Sequence, residues 1–239
     1  MLHWNERRVA CVRLSLGVLS VAVVGGCMTA ETPKLPSELP AEVPALVAAR
    51  DALTVAAGDA LRTTPGGTVV DAVESPAGCW ASSERLTAAE LGSADAGADA
   101  LFDSYEYFRF SADGKVRSVS YLEATDGTYA TYIWQEGTFE LRDGNRLLLT
   151  IQDGELYDTA TGNVIRFPED YLAAVQSLTD LTEQERAELL ASIQDPAPIA
   201  YLVTRQGDQL KLTPTSTNDA GTETVDESAA RVVVRFACP

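Results

Sequence analysis

Residues 105–122 read Tyr-Glu-Tyr-Phe-Arg-Phe-Ser-Ala-Asp-Gly-Lys-Val-Arg-Ser-Val-Ser-Tyr-Leu. Two runs rich in aromatic and β-branched side chains flank Ser111-Ala112-Asp113-Gly114. Gly and Asp tolerate the positive φ that tight hairpin turns need, so this stretch reads as a β-hairpin. The pattern then repeats. Asp126-Gly127 introduces Thr128–Gln135, and Glu136-Gly137 leads to Thr138–Arg142. Asp143-Gly144 turns into Arg146–Gln152, and Asp153-Gly154 turns into Glu155–Asp158. A looser turn at Thr161-Gly162-Asn163 leads to Val164–Phe167. In Thr128–Gln135 the period of two sets Tyr129, Thr131 and Ile133 on one face and Tyr132 and Trp134 on the other. The whole is an antiparallel up-and-down meander.

Helical signals interrupt and precede it. Pro168-Glu169-Asp170 opens a helix to about Leu178, and Thr182-Glu183-Gln184-Glu185 is a capping box for a second. Together they form an insertion at 168–195. Strands resume at Ile199–Arg205 and Gln209–Pro214, and Arg231–Ala237 is the last. Upstream, Pro44 to about Arg62 reads as a helix with Leu46, Val47, Leu53, Ala57 and Leu61 on one face. Thr63–Gly67 stops it, so the N-terminal helical unit spans 44–67. Thr87-Ala88-Ala89-Glu90 is a further capping box. Asp95, Asp99 and Asp103 are four apart, but glycines interrupt them and the spacing is not that of an EF-hand loop. No metal site and no cofactor is expected.

The N-terminus is a targeting segment. Arg7, Arg8 and Arg13 precede an apolar run, Leu14–Val24, that suits a signal peptide and is short for a membrane span. It ends in Gly25-Gly26-Cys27, which resembles the lipobox of bacterial lipoproteins. That resemblance implies cleavage after residue 26 and acylation of Cys27. The acyl methylenes, each worth about 0.8 kcal/mol, would hold the chain to a lipid bilayer. Met28 in place of aspartate leans toward an outer membrane where there are two membranes. The alternative is an ordinary secretory signal. Residues 27–43, punctuated by Pro33, Pro36 and Pro40, then read as an extended tether with a reach of roughly 50 Å.

Residues 1–26 hold three of the 18 basic and one of the 35 acidic side chains, so the remainder carries 15 and 34, a net charge of −19. That acidity argues against nucleic acid and suits a solvated extracytoplasmic surface. Cys11 falls in the removed segment and Cys27 would be acylated. Cys79 and Cys238 remain as an even pair in an oxidising compartment, where a disulfide is expected, with two buried thiols as the alternative. The single histidine, His3, is also removed. Ser-His-Asp and Cys-His catalysis and histidine-ligated metals are thereby excluded. A glycosidase needs only two carboxylates, but nothing marks a pair among so many, so no enzyme is expected.

Gly78-x-Trp80 on the first strand, followed by a meander with Asp-Gly turns, resembles the bacterial lipocalin-like proteins. The resemblance covers residues 76–167 and 199–238 and implies a closed β-barrel in which the tryptophan plugs one end. The expected fold is therefore mainly β with accessory helices, an antiparallel up-and-down barrel over residues 76–239. Another antiparallel β-domain with helices is the alternative. A small barrel can enclose one apolar ligand. The expected lining is Trp80, Tyr105, Tyr107, Phe108, Tyr129, Tyr132 and Trp134, with Arg109 as a polar anchor. The competing reading is that these rings fill the core and that the chain holds an envelope protein partner on its helices.

Overall fold

The computed structural model describes residues 34–54, 75–91, 100–159, 161–179, 181–217 and 223–239. Its ten strands are β1 (Gly78–Thr87), β2 (Leu101–Phe110), β3 (Lys115–Ala124), β4 (Ala130–Arg142), β5 (Arg146–Asp158), β6 (Asn163–Phe167), β7 (Ile199–Gln206), β8 (Gln209–Thr217), β9 (Glu223–Val225) and β10 (Arg231–Phe236). Pairing runs β1-β2-β3-β4-β5-β7-β8, then β8 pairs β10 and β10 pairs β1, all antiparallel. Eight strands thus close a barrel, and β6 and β9 extend the ends of β5 and β8 outside the ring. The expected class is the observed one. The Cys79–Cys238 disulfide forms across the β1–β10 closure, with Cα atoms 5.3 Å apart. For a loop this long the chain-entropy argument makes it worth on the order of 5 kcal/mol.

Helix α1 (Val43–Ala48) and the helical residues 50–54 precede the barrel. Helices α2 (Glu169–Ser177) and α3 (Glu183–Gln194) stand between β6 and β7, packed around Phe167, Val175 and Ile193. Both expected capping boxes form. Thr182 and Glu185 cap α3 reciprocally. Glu90 Oε2 accepts from the Thr87 amide at 2.7 Å, while Thr87 Oγ1 accepts from the Glu90 amide at 3.3 Å.

Two of the expected turns are not turns. Strands β4 and β5 run unbroken through Glu136-Gly137 and Asp153-Gly154, which lie opposite each other. Gln152 is the extra residue of a bulge there. A Cβ on Gly137 would overlap the Thr150 carbonyl, and one on Gly154 would crowd that of Trp134. These glycines permit close approach and bending of paired strands, not chain reversal.

Side-chain alternation divides the barrel into two layers. Trp80, Phe108, Val116, Leu147, Val203, Leu210 and Val233 come one from each of seven strands around the ring and pack together, so they fill the lumen near its lower end. On the opposite phase, Tyr105, Tyr107, Tyr121, Tyr132 and Tyr157 form a second core with Val43, Leu46 and Leu53. This one lies outside the barrel, under the strap made by residues 34–54. Val47, expected on the same helix face, is 38% exposed.

The strap is clamped as well as packed. Arg117 pairs with Glu42 at 2.5 Å, and Asp103 accepts from Arg50 at 3.0 Å and Arg85 at 2.8 Å. Its first described residue is already docked: Lys34 donates its amide to the Thr159 carbonyl at 3.1 Å and its Nζ to that of Thr161 at 2.9 Å. Pro40 is buried. From Lys34 onward the expected tether therefore lies against the barrel, and its reach is shorter than the proline spacing suggested. Residues 55–74, with Ala57, Leu61 and the expected helix stop, lie outside the described residues, as does Cys27.

Candidate functional site

The lower end of the lumen is shut. Trp80 is fully buried and donates its Nε1 to the Pro76 carbonyl at 2.7 Å. The guanidinium groups of Arg235 and Arg205 lie 5.0 and 5.4 Å from its ring centroid, within cation–π range. Gly78 sits at φ 126°, and any side chain there would occupy the space of the Arg235 guanidinium. Arg235 also donates to the Ala77 carbonyl at 2.8 Å. The Gly78-x-Trp80 pattern thus has a physical basis: the glycine leaves room for the cation that covers the tryptophan.

Above this plug the lumen turns polar. Glu106 on β2 pairs with Ser82 on β1 and Ser120 on β3, and Ser118 is one lumen-facing step below. Glu106, Ser118 and Ser120 are buried. Arg231 on β10 forms an ion pair with Glu106 Oε1. Glu106 Oε2 is buried and has no hydrogen-bond partner. Burial pushes the Arg231 pKa below the usual arginine value, with Glu84 acting in the opposite sense. A buried carboxylate oxygen without a partner costs free energy that apolar packing would avoid.

Higher still, the inward-facing side chains are less deeply buried. Leu86, Ser104, Ile133, Gln135 and Leu156 face inward by alternation, yet each keeps part of its surface exposed to solvent. Over β2 and β3 the top is covered by Ala88, Phe102, Leu122 and Ala124, with Tyr129 edge-on to Phe102 at 6.0 Å. The opposite wall is looser. Strand β5 pairs β7 only over Arg146–Leu149, and β8 pairs β10 only over Gln209–Leu212. The upper lumen is therefore lined by both apolar and polar side chains, above the buried Glu106.

The residues expected to line a cavity are distributed otherwise. Trp80 and Phe108 fill the lower lumen. Tyr129 belongs to the top cover. Arg109 is exposed on the outer phase, opposite Cys79 and Arg117. Tyr105, Tyr107, Tyr132 and Trp134 lie under the strap, outside the barrel. Their polar atoms are used there. Tyr107 donates to Cys79 Sγ at 3.2 Å, and Glu123 accepts from Tyr105 at 3.2 Å and Tyr121 at 2.9 Å. Trp134 donates to Glu155 at 2.5 Å, and Arg117 lies 4.8 Å from its ring centroid. Burial first, then Glu123, pushes the Tyr105 and Tyr121 phenols far above the usual range.

The reason is that both faces of β2 carry rings. Tyr105 and Tyr107 share one phase, Phe108 and Phe110 the other, and aromatic content does not say which points inward. The polar lumen residues Glu106, Ser118, Ser120 and Arg231 escaped the sequence reading. Their signal is polar residues in phase with Trp80, Phe108 and Val116, visible only once the register is known.

Asp103, one of the three evenly spaced aspartates, is taken up by Arg50 and Arg85. Asp95 and Asp99 lie outside the described residues. Among the described residues no grouping of side chains could hold a metal ion, and no helix is long and apolar enough to cross a membrane. No known family model matches the chain, and no curated protein matches it.

Proposed function

We propose that the chain is a lipid-anchored protein of the bacterial envelope whose barrel binds a small amphipathic ligand in its upper lumen. One observation carries this reading: Glu106 is buried in the lumen with Oε1 paired to Arg231 and Oε2 unpartnered, beneath inward-facing side chains that stay partly exposed. A carboxylate so held accepts a hydrogen bond from a ligand hydroxyl or ammonium. Leu86, Ile133 and Leu156 would receive the apolar body. The small apolar ligand expected from the sequence, with Arg109 as its polar anchor, gives way to one with a donor at the end held by Glu106. Anchoring through Cys27 and kinship with the lipocalin-like proteins belong to the same reading. It is supported by the eight-stranded closure and by the cation-covered Trp80 at the shut end.

The test is displacement of a lumen-bound fluorescent dye by long-chain alcohols, amines and fatty acids of equal length. Alcohols and amines should displace best, and Glu106→Gln should weaken them about tenfold or more, the worth of a charge-assisted hydrogen bond. Folded protein from which no amphiphile displaces the dye would sink the reading. It would leave the envelope-partner alternative, which the separately packed α2–α3 hairpin favours.

A further inference from the structure

The strands define an upper end, where β1 and β3 finish, β2 and β4 begin, and the β5–β6 turn lies. Lys34 is fixed at that turn by the Thr159 and Thr161 carbonyls. Lys34 stands only seven positions after Cys27, and a fully extended chain covers no more than about 25 Å over seven steps. Strand β1, ten residues long, spans about 33 Å, or roughly 25 Å along the axis of a barrel whose strands tilt by about 40°. A lipid on Cys27 could reach a bilayer below the shut end only with the chain taut along the whole wall. It reaches one at the upper end with slack.

The surface agrees. Leu35, 52% exposed, is next to the docked lysine, and Leu101, 39% exposed, begins β2. Two of the five exposed large hydrophobic side chains among the described residues thus lie at separate points of the upper end. Exposed Glu90 and Asp126 share that end, so an anionic surface would repel it.

We propose that the barrel stands upper end down on a zwitterionic lipid surface, its upper lumen facing the headgroups, with Leu35 and Leu101 dipping into the interface. The geometry rests on the anchoring of Cys27 given above. An amphiphile would then pass between bilayer and lumen without crossing bulk water.

The experiment uses full chain made in a bacterium that processes lipoproteins, reconstituted in phosphatidylcholine vesicles with brominated acyl chains. Tryptophan is introduced singly as Leu35→Trp, Leu101→Trp and, in the turn at the shut end, Ala112→Trp. Emission added by the first two should be lost to bromine quenching and that of the third kept, against the wild-type background of Trp80 and Trp134. Quenching of the first two should decline as anionic lipid is added. Co-flotation with vesicles but equal quenching at all three sites overturns the orientation alone. Absence of both acylation and flotation overturns the anchor reading and the orientation with it.

Discussion

Strands β1–β5 present two walls built from alternate residues of the same backbone. The outer wall is aromatic, and its polar atoms are matched: Glu123 serves two phenols, Asp103 two arginines, and Glu155 the Trp134 indole. The lumen wall is apolar below and polar midway, and there Glu106 keeps one oxygen without a partner. The contrast teaches that ring density marks where the chain buries its own surface, whereas the unmatched Glu106 oxygen marks the wall proposed to take a ligand. The outer wall is completed by the chain's own strap, and the lumen wall is not.

The largest effect that tests this contrast is alkaline. All eight tyrosines have phenols pushed above their usual value, burial being the leading cause at each. Tyr201, in the lower lumen, is pushed up to about 12. The unfolded chain loses phenolic protons near pH 10, the folded chain later. Stability from this source is thus fully present below pH 10 and lost as pH rises above it, by about 1.4 kcal/mol per pH unit for each phenol still neutral in the fold. Urea midpoints at pH 8 and pH 11, read with absorbance at 295 nm, measure it. Eight phenolates appearing near pH 10 in a folded sample would contradict the sealed outer wall.

Next in size is removal of the strap's central contact. Leu46 is fully buried against the outer wall, so Leu46→Ala should lower stability by about 2–5 kcal/mol. Trp134 emission should shift to the red, and the phenols of Tyr105 and Tyr107 should titrate earlier, with Tyr201 unmoved. Should this outer wall instead be a ligand surface, the substitution would cost little and dye binding would rise.

The barrel was legible because its signals are local. Asp113-Gly114, Asp126-Gly127 and Asp143-Gly144 are turns with the glycine at positive φ, and the two cysteines could be paired by elimination. Glu136-Gly137 and Asp153-Gly154 misled because a glycine that admits a neighbouring backbone looks, in one dimension, like one that reverses the chain. The site was not legible, for a related reason. Which phase of β2 faces inward depends on the strap, and Val43, Leu46 and Leu53 are far from β2 in sequence. Arg231 meets Glu106 only after the ring has closed, so no local pattern joins them.

The smallest effect on stability is the sharpest on function. Glu106→Leu alone should be costly, by about 3–5 kcal/mol, because Arg231 would be left inside the barrel without its carboxylate. Replacing both, Glu106→Leu with Arg231→Met, removes the unmatched oxygen and the half-buried cation together. Apolar replacements of a buried ion pair are commonly neutral or stabilising by about 1–4 kcal/mol, and the lower lumen already offers apolar neighbours in Phe108 and Val233. The double variant should therefore melt at or above the wild-type temperature while losing displacement by alcohols and amines. A pair kept for the fold would give the opposite result, a lower melting temperature with amphiphile binding unchanged. A double-mutant cycle completed with Arg231→Met alone separates the two, since coupling between the sites then appears in stability, in binding, or in both.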